Sequence, residues 1–160
     1  YFLAKFYYFI CFLFRMTIVH LISLCQLVVK SILEKNNLMT KKILIIDDDD
    51  DIREATQLCL EIVGNWEIVT ANSGKEGLIV AIAQQPDLIL LDVMMPDMDG
   101  LETLKQLQVN AVTKDIPVMF LTAKAHPAEQ RQFTQLKVSG VITKPYDTFD
   151  LSNRIAEVLA

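Results

Sequence analysis

Cysteine is scarce in this chain of 160 residues, and the three present are poorly placed for shared chemistry. Cys11, Cys25 and Cys59 are odd in number, widely separated and form no CxxC pair, which argues against a disulfide framework and a zinc site. A reducing cytoplasm suits that usage. Histidine is rarer still, with only His20 and His126. Glycine is confined to five positions, none between Ile46 and Val63. The turn after the first apolar run therefore has no glycine-rich loop with which to cradle a bare phosphate. Nor is there a clustered stripe of Lys and Arg. Residues 39–160 carry 11 basic against 19 acidic side chains, a balance of −8, and nucleic-acid binding by this chain is not expected. Internal repeats, long loops and low-complexity stretches are lacking after Met39. The length suits one domain with a full core rather than two.

The first 38 residues differ in composition from the rest. From Phe6 to Val29 the chain is apolar apart from Arg15 and a few weakly polar positions, and residues 1–38 carry +3 (Lys5, Arg15, Lys30 and Lys35 against Glu34). Arg15 divides the stretch into pieces of nine and fourteen residues, each too short to span a bilayer. Joined, the 24 residues make about 36 Å of helix, which is enough. A central Arg costs about 2.5–3.5 kcal/mol on insertion, and abundant Phe and Leu offset it. No small-x-small cleavage site follows, and Leu24 precedes Cys25 where a lipoprotein signal needs a small residue, so a secretory signal is not expected. Residue 1 is Tyr, whereas Met39 opens a natural cytosolic start just ahead of the first strand pattern. We read residues 1–38 as an upstream reading-frame extension and 39–160 as the domain. A membrane anchor through residues 6–29 is the alternative, and the intact mass of the natively expressed protein separates the two.

From Met39 onward, strand and helix patterns alternate five times. Strands are predicted at 42–46, 66–71 and 87–91, from Ile116-Pro117 onward, and from Gly140. Helices are predicted at 52–63, 74–84, 101–109, 127–136 and 148–159. Gly64 serves as the residue past the first helix, Ser73 and Glu76 form a capping box, and Pro86 stops the second helix. Cys59 shares helical register with Ile52, Ala55 and Ile62 and is expected in the core. Five βα units with short connections imply an α/β fold with an open, doubly wound parallel sheet. The last helix pattern runs to the end of the given sequence, and an effector domain is not expected.

Four of the apolar runs stop on chemically useful residues. Ile43 to Ile46 runs into Asp47 and Asp48, Leu88 to Leu91 into Asp92, Val118 to Leu121 into Thr122, and Val141 to Thr143 into Lys144. Parallel sheets bind ligands at the carboxyl ends of their strands. The pattern thus gathers three carboxylates, a hydroxyl and an ammonium at one rim, a site for a divalent cation and a phosphoryl group. Five consecutive acids, Asp47 to Asp51, reject a bare anion but suit a hard cation. Asp49, Asp50 and Asp51 are explained by the helix N-terminus they occupy, where each acid contributes about 0.3–1 kcal/mol; Asp47 and Asp48 are not. Asp92 ends a buried strand and needs a partner, a cation or Lys144. Held against a divalent ion, it can accept a phosphoryl group as an acyl phosphate. A hydroxyl at Thr122 and an ammonium at Lys144 are suited to the equatorial oxygens of a phosphoryl group in transfer. Lys144-Pro145 is an X-Pro bond of the kind that can be cis in a tight turn.

Together, Asp47-Asp48, the run from Asp92 through Pro96 to Asp99-Gly100, Thr122-Ala123 and Lys144-Pro145 resemble the signatures of bacterial response-regulator receiver domains, over residues 40–160. The resemblance implies a flavodoxin-like (βα)5 fold with strand order 2-1-3-4-5. It implies that Asp92 is the phosphoacceptor and that Asp48 and Asp92 ligate Mg²⁺. The backbone carbonyl of Met94 would be a third ligand, with Asp47 acting mainly through water. Lys144 would pair with Asp92 and then with the phosphoryl oxygens, and Thr122 would hydrogen-bond the phosphoryl group. The implied donor is a histidine kinase or histidine phosphotransfer protein, the output is contact with a downstream protein, and the location is cytoplasmic. Neither His20 nor His126 fits the donor role, and His126, just ahead of Pro127, reads as a loop residue.

The chain departs from that family in two places. An aromatic usually stands three residues before the strand-end Lys, where this chain has Val141. We expect a smaller repacking around Val141, with little carried by Phe120 or Tyr146. The positions two past the acceptor and two past the Thr, which tune dephosphorylation in the family, are Met94 and Lys124. Neither offers a carboxamide or carboxylate to orient water, so a long-lived phosphoryl group is expected. One rival is a Mg²⁺-dependent phosphohydrolase with an Asp nucleophile, but such enzymes generally place a second acid where Met94 stands. A second is a receiver-shaped module that is never phosphorylated.

Overall fold

Each strand of the domain has side chains of one parity facing one layer of helices and the other parity facing the opposite layer, so both must be apolar. The structure is a computed structural model, and it describes residues 40–123, 133 and 136–160. Five parallel strands, β1 (Lys42–Ile46), β2 (Glu67–Ala71), β3 (Leu88–Asp92), β4 (Val118–Thr122) and β5 (Gly140–Thr143), form one sheet in the order β2-β1-β3-β4-β5. The described helices are α1 (Asp50–Gly64), α2 (Gly74–Gln84), α3 (Gly100–Val109) and α4 (Thr148–Leu159). The expected flavodoxin-like order is the one found. The helix expected at 127–136 falls almost wholly outside the described residues, as do Lys124, His126 and the extension 1–38. Among the described residues no helix is long and apolar enough to cross a membrane.

The core divides along the parity of the strands. Leu44, Ile46, Ile89, Leu91, Val118 and Phe120 face one way and pack with Ala81 of α2 and with Leu104 and Leu107 of α3. Ile43, Ile45, Leu88, Leu90, Met119, Leu121 and Ile142 face the other way and pack with Leu60 of α1 and with Leu151 and Ile155 of α4. Phe120 closes the first layer against Phe133, with ring centroids 5.2 Å apart, a tilted pairing favourable to the ring quadrupoles.

Capping follows the local sequence. Asp49, Ser73, Asp99 and Asp147 precede α1 to α4, and each side chain accepts a backbone N–H of its first turn. Glu76 completes the predicted box by accepting the N–H of Asn72, one residue before the cap. Two expectations for α1 are corrected. Gly64 is the last helical residue, and Asn65 supplies the left-handed cap (φ 52°). What Gly64 does is give space: a Cβ there would lie 2.2 Å from the Trp66 ring. The buried face of α1 is Thr56 and Leu60, whereas Cys59 is half-buried and Ile62 is 72% exposed. Apolar residues occupy more than one face of this helix, so periodicity alone left its phase open.

Candidate functional site

The sheet order brings the carboxyl ends of β1 and β3 side by side at the point where chain direction across the sheet reverses. Asp47 follows β1 and Asp92 ends β3, so two acids separated by 45 positions share one rim. Each of Asp47, Asp48 and Asp92 can offer a carboxylate oxygen within 4.8 Å of the others. Asp47 is fully buried and Asp92 is 5% exposed, while Asp48 stands exposed at the mouth. Such an all-oxygen set fits a hard divalent cation.

Lys144, just past β5, reaches across this rim. Its Nζ lies 2.6 Å from Asp47 Oδ2 and 3.2 Å from Asp92 Oδ1. The pair with Asp92 expected from the sequence is present, and the ammonium sits nearer still to Asp47. Its backbone N–H donates to Thr122 O at 2.7 Å, which fixes the loop to the end of β4, and the Lys144-Pro145 bond is cis. Asp47 is committed on both oxygens, because Oδ1 accepts the Asp49 N–H at 3.0 Å. Thr122 is buried at the end of β4, one residue beyond Leu121, the strand partner of Asp92. Met94 donates its N–H to the Asp92 carboxylate, and its side chain is 61% exposed.

The electrostatics follow first from burial and then from the neighbouring charges. Burial pushes the Asp92 carboxyl above the ordinary carboxylate range, and the charge of Asp47 adds to this while Lys144 and the Met94 N–H oppose it. Burial alone would lower the Lys144 ammonium, but Asp47 and then Asp92 outweigh it and hold the group above its usual value. The ammonium therefore stays charged between the two acids.

A model of the response regulator receiver domain matches residues 43–156. This chain belongs to that family. It is 36% identical over 121 residues to the alkaline phosphatase synthesis transcriptional regulatory protein PhoP of Bacillus subtilis, covering 76% of this chain and 49% of that protein. It is 38% identical over 90 residues to the response regulator PleD of Caulobacter vibrioides, covering 56% of this chain and 20% of that one. The receiver thus spans about half the length of PhoP and less of PleD. The solved chemotaxis protein CheY4 of Vibrio cholerae aligns with a TM-score of 0.71 at 30% identity, over 76% of this chain and all of CheY4. The N-terminal domain of a response regulator receiver protein from Methanoculleus marisnigri aligns with a TM-score of 0.62 at 39% identity, over 76% of this chain and 98% of that one. The receiver is a regulatory phosphoacceptor domain of two-component signalling, a family supplied with phosphate by histidine kinases and generally binding Mg²⁺ in an acidic pocket.

Three polar residues at this site had no place in it from the sequence, where Tyr146 was expected only to carry little of a repacking around Val141. Arg53 donates from Nη1 to the Asp47 carbonyl at 2.8 Å and pairs through Nη2 with Asp50. Thr56 and Tyr146 share a hydrogen bond of 2.8 Å between α1 and the loop after Lys144. An Arg six residues after Asp47 and a Tyr two residues after Lys144 were visible signals, but Thr56 looked like an ordinary helical position.

Proposed function

We propose that Asp92 accepts a phosphoryl group from a phosphohistidine of a kinase or phosphotransfer protein, and that the receiver then signals by contact with another protein. The observation that carries this reading is the ammonium of Lys144 held between Asp47 and Asp92 beside the exposed carboxylate of Asp48. An oxygen of Asp92 attacks phosphorus as the phosphorus–nitrogen bond to the donor breaks, leaving an acyl phosphate. Lys144 and the Thr122 hydroxyl stand at adjoining strand ends, suited to the charge spreading over the equatorial oxygens. Asp48, Asp92 and the Met94 carbonyl would hold Mg²⁺, with Asp47, already engaged on both oxygens, acting through water. That ion, when bound, neutralises phosphoryl charge. In this reading the receiver promotes its own phosphorylation and dephosphorylation and turns over no separate substrate.

An apolar groove of about 490 Å³ borders the site, lined by Ile52, Ala55 and Cys59 of α1 and by Lys144, Pro145 and Tyr146. It suits a helix of the donor protein presenting its histidine to Asp92. A cytoplasmic location accords with such a donor and with the cysteine usage. The test is direct: incubate the receiver with acetyl phosphate and magnesium, then weigh it. Wild type gains one phosphoryl mass and Asp92→Asn does not. Failure of the first, or equal gain by the second, removes the proposal.

A further inference from the structure

The loop from Lys144 to Asp147 joins β5 to α4 and carries the site's ammonium. Several contacts set its conformation, and one of them reaches away from the site. The Tyr146 hydroxyl lies 2.8 Å from Thr56 Oγ1 on α1. Thr56 also lies 2.7 Å from the carbonyl of Ile52, to which it donates. A threonine hydroxyl has one proton. Since that proton goes to Ile52, Tyr146 must be the donor to Thr56. One turn earlier on the same helix, Arg53 donates to the carbonyl of Asp47, whose carboxylate holds Lys144. The polar contacts therefore close a ring: Lys144 to Asp47, Asp47 to Arg53, along α1 to Thr56, across to Tyr146, and back through Pro145 to Lys144. The ring body of Tyr146 packs on the apolar layer beneath, so the hydroxyl is aimed by a side chain with little freedom.

We propose that Tyr146 and Thr56 are positioning residues for phosphotransfer, their hydrogen bond latching the Lys144 loop onto α1 and holding the ammonium between Asp47 and Asp92. The phosphotransfer part rests on the reading of Asp92 as phosphoacceptor. Neither latch residue touches the reacting atoms. Both act through Lys144, and a small displacement of a charged group at a transfer site is costly in rate.

The test compares Tyr146→Phe, Thr56→Val and Thr56→Ser with wild type by two readouts. One is the rate of phosphoryl gain from acetyl phosphate with magnesium, and the other is the NMR signal of the Lys144 ammonium in the unphosphorylated protein. Tyr146→Phe and Thr56→Val should each slow the reaction several-fold and shift or broaden the Lys144 signal, and the double variant should be no slower than the slower single. Thr56→Ser, which keeps the hydroxyl and loses the methyl, should behave as wild type, whereas a merely packing role predicts the reverse order for Ser and Val. Wild-type rates with an unmoved Lys144 signal in both hydroxyl-deleting variants overturn the proposal, and so does Thr56→Ser matching Thr56→Val. If Tyr146→Phe fails to fold, the Thr56 pair decides alone. If wild type takes up no phosphoryl group, the functional reading fails, while the ammonium signal still decides whether the latch holds Lys144.

Discussion

At the scale of single residues, the site is a balance between one cation and several acids. Removing Lys144 leaves the buried carboxylates of Asp47 and Asp92 facing each other without a counter-charge. Lys144→Ala should cost about 3 kcal/mol in urea unfolding without divalent cations, the scale for breaking a buried pair from one side. Asp92→Asn should do the opposite. The Asp92 carboxyl titrates higher in the folded protein than in the unfolded chain, so the folded state holds its proton longer. Its contribution then falls as pH rises from about 4, the unfolded value, through the folded one, and is unfavourable above it. In EDTA at neutral pH, Asp92→Asn should melt higher than wild type, with the gap closing as the pH is lowered through that window. Asp48 is the exposed member of the cluster. Asp48→Asn should leave the melting temperature in EDTA nearly unchanged and abolish the stabilisation by magnesium, which in wild type should reach about 2.7 kcal/mol at a hundredfold excess over Kd. A calorimetric titration with MgCl₂ checks this.

At the scale of elements, main-chain contacts help to hold the loop between β3 and α3. The Gly100 N–H donates to Val93 O at 3.0 Å, and a Cβ on Gly100 would lie 2.3 Å from Asp92 O and 2.8 Å from Val93 Cα. These neighbours are main-chain atoms of Asp92 and the residue after it. Gly100→Ala should therefore destabilise the domain by more than about 2 kcal/mol and slow phosphorylation of whatever remains folded, measured by unfolding and by intact mass. Gly100 was legible only as the end of the run from Asp92 through Pro96 to Asp99-Gly100, and the reason a glycine stands there was not. The reason is a close approach to a strand eight residues earlier. The misreading of α1 has a similar origin. Ile52, Ala55, Cys59 and Ile62 are spaced as a core stripe, yet Thr56 and Leu60 are buried, because α1 must face the layer built by Ile43, Ile45 and Leu151.

At the scale of the whole molecule, signalling requires that a phosphoryl group at the rim persist and be felt elsewhere. Met94 is exposed beside Asp92 and has no group that can orient an attacking water. Met94→Asn should shorten the lifetime of the acyl phosphate, followed by loss of phosphoryl mass after the donor is removed; an unchanged lifetime counts against this role. Val141 is half-buried and packs with the layer holding Phe120, where an aromatic is usual. Phosphorylation should move the methyl resonances of Val141, with smaller changes at Phe120 and Tyr146 as NMR reads them. Static resonances along β5 would remove this route from site to surface.

Among the described residues, the sequence by itself determined the elements and the chemical inventory. Strand and helix patterns are short-range, and each strand of the site places its functional residue immediately after an apolar run, so Asp47, Asp92, Thr122 and Lys144 could be read as rim residues from period and punctuation alone. Strand order was known only through resemblance, since hydrophobic runs of equal length carry no label of their neighbours. Only the tertiary structure decided that Lys144 lies closer to Asp47, 97 positions away, than to Asp92. It alone joined Tyr146 to Thr56 across 90 positions. Contacts of that kind depend on how helices settle on a twisted sheet to within an ångström, and that settling is a property of the packed core rather than of any local stretch of chain.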